Sequence, residues 1–98
     1  MTALTASHRQ KVIERLRARP KLAAAYMQAA IEAGDQAALL LALRTVAEAC
    51  GGMSMIAAKT GLKRESVSRA LSATGNPRLS SLSAILAAAG LQIAVRAV

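Results

Sequence analysis

The segment 53–72, which reads MSMIAAKTGLKRESVSRALS, holds the polar side chains best suited to chemistry in this chain. Six of them fall on the outer face of one predicted short helix or directly before it: Lys63, Arg64, Glu65, Ser68, Arg69 and Ser72. Arginine can pair bidentately with guanine, glutamate can accept a hydrogen bond from cytosine, and serine suits base edges or phosphates. Three basic residues against one acid favour contact with DNA over the alternative, an ordinary solvated helix face.

Two further cations flank this helix in the sequence. Lys59 lies near the end of the preceding predicted helix, and Arg78 lies beyond the following loop. We expect both to touch phosphates, which position a protein on DNA without reading its sequence. For Lys59 the alternative interpretation is an ordinary surface lysine.

The apolar spacing of the same segment predicts the two short helices that must position these side chains. Ala57 sits where two helices approach closely, and Gly61 follows four residues later, where a sharp turn needs positive φ. Leu62 and Val67 are predicted to point inward, and Leu71 to close the second helix against the next one. This spacing is typical of a helix-turn-helix, which presents its second helix to the major groove of DNA.

The rest of the chain predicts further helices, separated by Pro and Gly. The six predicted helices are His8–Arg19, Lys21–Ala33, Gln36–Cys50, Met53–Thr60, Arg64–Ser72 and Leu79–Ala89. In the first helix we expect Val12, Ile13 and Leu16 to share one apolar side. In the second helix, the spacing predicts one inward face, made of Leu22, Tyr26, Ala29, Ala30 and Ala33.

The C-terminus carries a different pattern, because Leu91, Ile93 and Val95 alternate with the residues between them, as in a β-strand. A lone strand needs a partner for its backbone polar groups, and this chain offers only a weak candidate at Thr2–Thr5. We therefore expect the strand to add to another chain, and a frayed terminus is the alternative. The predicted fold is an all-α helix-turn-helix bundle with N-terminal helices and a short C-terminal β-strand. We divide it into basic and Ala-rich N-terminal helices, residues 1–34, and a helix-turn-helix domain with the strand, residues 35–98.

Composition supports a small helical protein with a polyanionic partner. The 98 residues are 54% hydrophobic, which excludes a disordered chain, and the dominance of Ala and Leu favours helices over sheets. The net charge of +8 divides into +4 over residues 1–19, −1 over 20–50 and +5 over 51–98. Basic ends around a near-neutral middle favour nucleic acid or anionic lipid as partner. Three interpretations of the basic segment 8–19 stay open: an arm that reaches DNA, a membrane-surface helix and a plain soluble helix face.

Several functional classes lack the residues that they need. The single Cys50 and the single His8 provide neither a disulfide nor a zinc site of the usual kind, and we expect no metal or cofactor. No two carboxylates share a predicted helix at close spacing, so we do not expect an enzyme. The longest uncharged run, residues 79–95, contains three Ser, a Gln and a Gly, so we expect no membrane span. A basic N-terminus without a following apolar run is not a secretory signal, and a cytoplasmic location is our expectation.

Several short motifs together resemble a known family. They are Gly34-Asp35, Gly52-Met53-Ser54, Thr60-Gly61-Leu62, Arg64-Glu65-Ser66 and the run Gly75–Ser80, which reads GNPRLS. Over about residues 26–95 the chain is similar to the addiction-module antidote proteins. These are HigA-like antitoxins of the Cro/C1-type helix-turn-helix superfamily, often described as prophage DNA-binding proteins.

The resemblance implies a dimeric repressor that binds double-stranded operator DNA of its own operon. It also implies a toxin partner of the RelE/HigB type, an mRNA-cutting ribonuclease that the antitoxin neutralises. A homodimer is expected independently, because so small a helix-turn-helix domain reads few bases and a dimer reaches two half-sites. Two alternatives belong to other classes: a phage-type transcriptional repressor without a toxin, and a protein-interaction subunit whose helix-turn-helix face never touches DNA.

Overall fold

The computed structural model describes residues 6–98, and every regular element in that range is an α-helix. The helices are α1 (Ala6–Ala18), α2 (Pro20–Glu32), α3 (Gln36–Ala49), α4 (Met53–Thr60), α5 (Arg64–Ala70) and α6 (Leu79–Ala88). All six predicted helices are confirmed, and each end lies within two residues of its predicted position. The candidate strand at Thr2–Thr5 lies outside the described residues.

Local chemistry explains where α2 and α3 begin. Pro20 occupies the first position of α2, where the N–H that proline lacks would have no partner inside the helix. Gly34 then reverses the chain with φ of 72°, a conformation that suits glycine at a helix end. Asp35 caps α3, because its carboxylate accepts a hydrogen bond from the Ala37 N–H at 3.0 Å.

The core is built around α3, against which α1, α2 and α4 pack. Half of the 14 residues of α3 are buried: Leu40, Ala42, Leu43, Thr45, Val46, Ala47 and Ala49. α1 adds Ile13 and Leu16 to this core, as predicted, and α6 adds Ile85 and Leu86. The core thus includes residues from both sides of the boundary that we placed after Gly34, and the division into 1–34 and 35–98 stays a prediction.

The inward face predicted for α2 is wrong at three of its five positions. The structure exposes Leu22, Ala29 and Ala33. It buries Ala23 and Met27 instead, with Tyr26 and Ala30 half-buried beside them. The physical reason is that α2 is rich in Ala, so its sides differ little in hydropathy. Packing against α1 and α3 then fixes the rotation of α2 about its own axis.

The prediction of a short C-terminal β-strand is also wrong. Residues 91–98, called the tail below, have no strand, since no second extended segment within residues 6–98 lies beside them to complete a ladder of backbone hydrogen bonds. The tail instead runs next to α2, where Leu91 and Ile93 line a cavity of about 170 Å³ together with Met27. At its end Arg96 forms an ion pair with Glu32 at 3.5 Å.

Apolar helices are frequent in this fold, but they are short. Within residues 6–98 no single helix is long and apolar enough to cross a membrane, and α3 with α4 reaches that length only across an 85° bend.

Candidate nucleic-acid interface

α4 and α5 form a compact pair of short helices joined by a tight turn. Gly61 adopts φ of 78° at the end of α4, as its position predicted, and its N–H donates to the Ala57 carbonyl at 2.9 Å. The Thr60 hydroxyl donates to the Ile56 carbonyl at 2.8 Å and accepts from the Leu62 N–H at 3.2 Å. These bonds satisfy backbone groups that the helix end leaves without partners and so fix the direction in which α5 departs.

Apolar anchors hold the α4–α5 pair on the rest of the protein. Ile56 of α4 and Val67 of α5 are fully buried, and Leu71 directly after α5 is 1% exposed. Leu62, in the turn, packs against the same core. The inward positions predicted for Leu62, Val67 and Leu71 are therefore confirmed, which leaves the polar residues of α5 to face away from the core.

The loop after α5 is held in place by a close backbone approach at Gly75. Gly75 is buried, and a Cβ atom added there would overlap the carbonyl oxygen of Ala70 and lie 2.9 Å from that of Arg69. The Gly75 carbonyl accepts a hydrogen bond from the Gln36 side chain at 3.0 Å, which ties the loop to the start of α3. Only a residue without a side chain fits between α5 and this anchor.

The structure gathers six of the eight predicted DNA-contact residues on and around α5. Four side chains are exposed, namely Lys63, Arg64, Glu65 and Arg69, and two are half-buried, namely Ser68 and Ser72. The Ser72 hydroxyl donates to the Arg69 carbonyl at 2.9 Å, so it caps the end of α5. The outer face therefore presents three cations and one carboxylate at an accessible surface, the chemistry that base edges and phosphates require.

Arg64 has a partner that no pattern in the sequence predicts. Its Nε donates to the Ser54 hydroxyl at 3.0 Å, which links the first turn of α5 to the first turn of α4. Two residues ten positions apart on different helices form no local pattern, so only the fold brings Ser54 to this surface. The bond restrains the Arg64 side chain while its remaining N–H groups can still donate to another molecule.

Lys59 lies apart from the α5 surface. It is exposed on α4, roughly 140° around the helix axis from Ser54. There it borders an open cleft of about 660 Å³ lined by Arg17 and by the ends of α3 and α6, residues 49–51 and 87–90. The phosphate contact predicted for Lys59 therefore requires that DNA extend to this side of α4.

Arg78 is the eighth predicted residue, and it is exposed directly before α6. Its carbonyl accepts the first backbone hydrogen bond of α6, from the Leu82 N–H at 2.9 Å, while its side chain forms no capping bond. The neighbouring Leu79 is 69% exposed. The phosphate contact predicted for Arg78 stays a prediction, and its side chain is accessible at the start of α6.

Among residues 6–98 no group of three His, Cys, Asp or Glu side chains lies close enough to hold a metal ion. Cys50 is a free, half-buried thiol.

A comparison with family models assigns the chain. Residues 8–97 match the family described as "Probable addiction module antidote protein". Since this span covers nearly all of the 98 residues, the chain belongs to the addiction-module antidote family. An antidote counteracts a toxin, so the family gives the protein an antitoxin role and a toxin as partner. No curated protein and no solved structure matches the chain significantly.

Proposed function

We propose that this antidote is a homodimeric antitoxin that represses its own operon and neutralises a RelE/HigB-type toxin. The observation that carries the DNA half of the proposal is the α4–α5 pair. Its second helix is fixed by a glycine turn and buried anchors, and it turns an accessible basic face outward. We interpret the pair as a helix-turn-helix of the Cro/C1 type, whose second helix enters the major groove.

Within this proposal each side chain has a role set by its position. Arg69 is exposed in the last turn of α5 and forms no ion pair with a described residue, so its guanidinium is available for a guanine edge. Glu65 can accept a hydrogen bond from cytosine, and Arg64 is already oriented by Ser54. Lys63 and Arg78, before the two helices α5 and α6, are suited to phosphates.

The size of the molecule supports a dimer. The described chain measures 36 × 35 × 27 Å, so the centres of two copies side by side would be separated by a distance close to one turn of DNA, ~34 Å. A single seven-residue helix reads few base pairs, and pairing two of them on a palindromic operator raises both affinity and specificity.

We place the toxin contact away from α5, on the side formed by α2 and the tail. Large apolar side chains are exposed there, with Ile31 at 52%, Ile93 at 47% and Val95 at 94%. Glu32 and Asp35 supply carboxylates at the same end of α2, which suits a basic partner. A toxin bound at this side leaves α5 free, so operator and toxin can be held together.

Co-expression tests the toxin half of the proposal. The antidote should restore growth to cells that express the product of the adjacent open reading frame. The two proteins should purify as one complex, whose mass gives the stoichiometry. Ile31→Asp should lose the rescue because it puts a charge into the proposed apolar contact, whereas Ala25→Asp, on another side of α2, should retain it. Rescue by both variants would show that the toxin does not bind at this surface.

A gel shift on the DNA upstream of the gene tests the repressor half. The antidote should bind this DNA more tightly than a scrambled duplex, and Arg69→Ala should reduce that preference. Equal affinity for both duplexes would favour the protein-interaction subunit. Specific binding without a toxin encoded nearby would favour the phage-type repressor.

A further inference from the structure

A second basic surface lies on α1, outside the α4–α5 pair. Residues 8–21 contain six Lys or Arg and a single Glu. Two of the six cations serve the fold. Arg9 bonds to the Thr45 hydroxyl at 2.9 Å and pairs with Glu48 at 3.1 Å, and Arg17 donates to the Ala49 carbonyl at 3.1 Å.

Three of the remaining four cations form an unpaired row, and the fourth, Lys21, lies in the first turn of α2. Lys11 and Arg15 lie four residues apart on α1, and Arg19 follows in the link to α2. All three side chains are exposed, and none of them forms an ion pair with a residue in the described range 6–98. We call these three residues the α1 stripe. Four residues along a helix advance about 6 Å, close to two axial steps of about 3.4 Å between phosphates on one DNA strand.

Burial distinguishes between the partners that such a stripe could take. A helix that binds a membrane surface inserts its apolar side between lipids, so that side must be free. In α1 the apolar side is occupied, because Ile13 is 6% exposed and Leu16 is 4% exposed, both in the core. The exposed side of α1 carries the cations together with Gln10 and Glu14 and no large apolar side chain, which favours a partner recognised by charge.

The α1 stripe also lies on a different part of the molecule from α5. α1 packs mainly against α2 and α3, whereas α5 packs mainly against α4. A polyanion held at α1 therefore need not be the segment that α5 contacts.

We propose that Lys11, Arg15 and Arg19 form a second nucleic-acid contact, which binds phosphates without regard to base sequence. The contact goes beyond operator recognition, because it holds on any duplex and acts independently of α5. It strengthens binding to long or flanking DNA by the release of counterions.

The salt dependence of binding to a random-sequence duplex of about 30 base pairs tests this proposal. Each phosphate contact contributes about 0.9 to the slope of log affinity against log salt. The double variant Lys11→Gln with Arg15→Gln should therefore lower the slope by about 1.8, so that each doubling of salt weakens its binding about 3.5-fold less than that of the wild type. Glutamine keeps the helix propensity of both positions, and circular dichroism verifies the fold.

A charge-matched control separates the stripe from net charge. Arg96→Gln removes one charge from the tail, outside both basic surfaces, and should leave the slope unchanged, whereas Arg15→Gln alone should lower it by about 0.9. Equal slopes for these two single variants, or no binding of the wild type to the random duplex at about 50 mM salt, would overturn the proposal. It would also be overturned if the stripe variant lost binding to phosphatidylserine vesicles but kept the wild-type slope on DNA.

The same experiment distinguishes this proposal from the repressor function. The ratio of affinities for upstream and random DNA reports on α5, and the difference in slope between the wild type and the stripe variant on random DNA reports on the stripe. If the stripe variant lowers the slope by about 1.8 but the wild type binds upstream and random DNA equally, operator recognition is rejected and the stripe is retained. If the wild type prefers upstream DNA but the stripe variant leaves the slope unchanged, the stripe is rejected and the repressor function is retained.

Discussion

Replacement of Gly75 by alanine tests how the loop after α5 fixes the position of α5. Gly75 is buried and lacks a positive φ, so a close approach and not backbone conformation requires glycine there. The new methyl group would overlap the Ala70 carbonyl oxygen and lie 2.8 Å from its carbon. Both are backbone atoms, so α5 or the loop must move, whereas a flexible side chain could simply rotate away.

We expect Gly75→Ala to destabilise the protein by about 1–3 kcal/mol, the usual cost of overpacking a filled site. With a urea slope of about 1.5 kcal/mol per molar, the unfolding midpoint should fall by about 0.7–2 M. Operator affinity should fall as well, under conditions where the variant is folded, because the displaced segment is the end of α5. Thr74→Ala, at the exposed neighbouring position, is the control and should change stability by less than about 0.5 kcal/mol. If the two variants unfold at the same urea concentration, the close approach does not constrain the loop and the reasoning fails.

Three further predictions follow from contacts described above. Arg69→Ala should cost about 1–3 kcal/mol on operator DNA and relax preference at one base pair, whereas Lys59→Ala should weaken operator and scrambled DNA equally and lower the salt slope by about 0.9. Titrations of both DNAs at several salt concentrations distinguish the two variants. If Lys59→Ala changed the sequence preference and Arg69→Ala weakened both DNAs equally, the proposed orientation of α5 in the groove would be wrong. Arg9→Ala should lower the free energy of unfolding by about 1 kcal/mol in urea, because it removes the bonds to Thr45 and Glu48, and an unchanged midpoint would show these bonds to be unimportant. Light scattering at micromolar concentration should give twice 10.1 kDa, and a stable monomer with and without DNA would contradict the dimer.

The sequence predicted the helix ends well because specific residues mark them. Pro20, Gly34 and Gly61 restrict or permit the backbone conformations that a break requires, and these restrictions act within a few residues. The outward polar face of α5 was predictable for a related reason, since Val67 and Leu71 define the buried side by spacing alone.

Local sequence patterns could not predict the features that depend on packing between distant segments. The rotation of α2 is set by its neighbours and not by its own sequence, in which five of 13 residues are alanine. The alternation of Ile93 and Val95 satisfied the pattern of a strand, but in the described chain no partner strand exists to make one. The Ser54 contact to Arg64 and the cleft beside Lys59 likewise join residues that only the tertiary fold brings together.

The shortness of α5 has a consequence for how the free protein moves. α5 buries one of its seven residues, whereas α3 is buried along half of its length. A helix of two turns is unstable in isolation, so α5 persists only while its few anchors hold. Its amide hydrogens should therefore exchange with solvent through local openings that leave α3 intact. Ordering this helix on DNA costs part of the binding free energy, and a bound operator should slow hydrogen exchange in α5 far more than in α3.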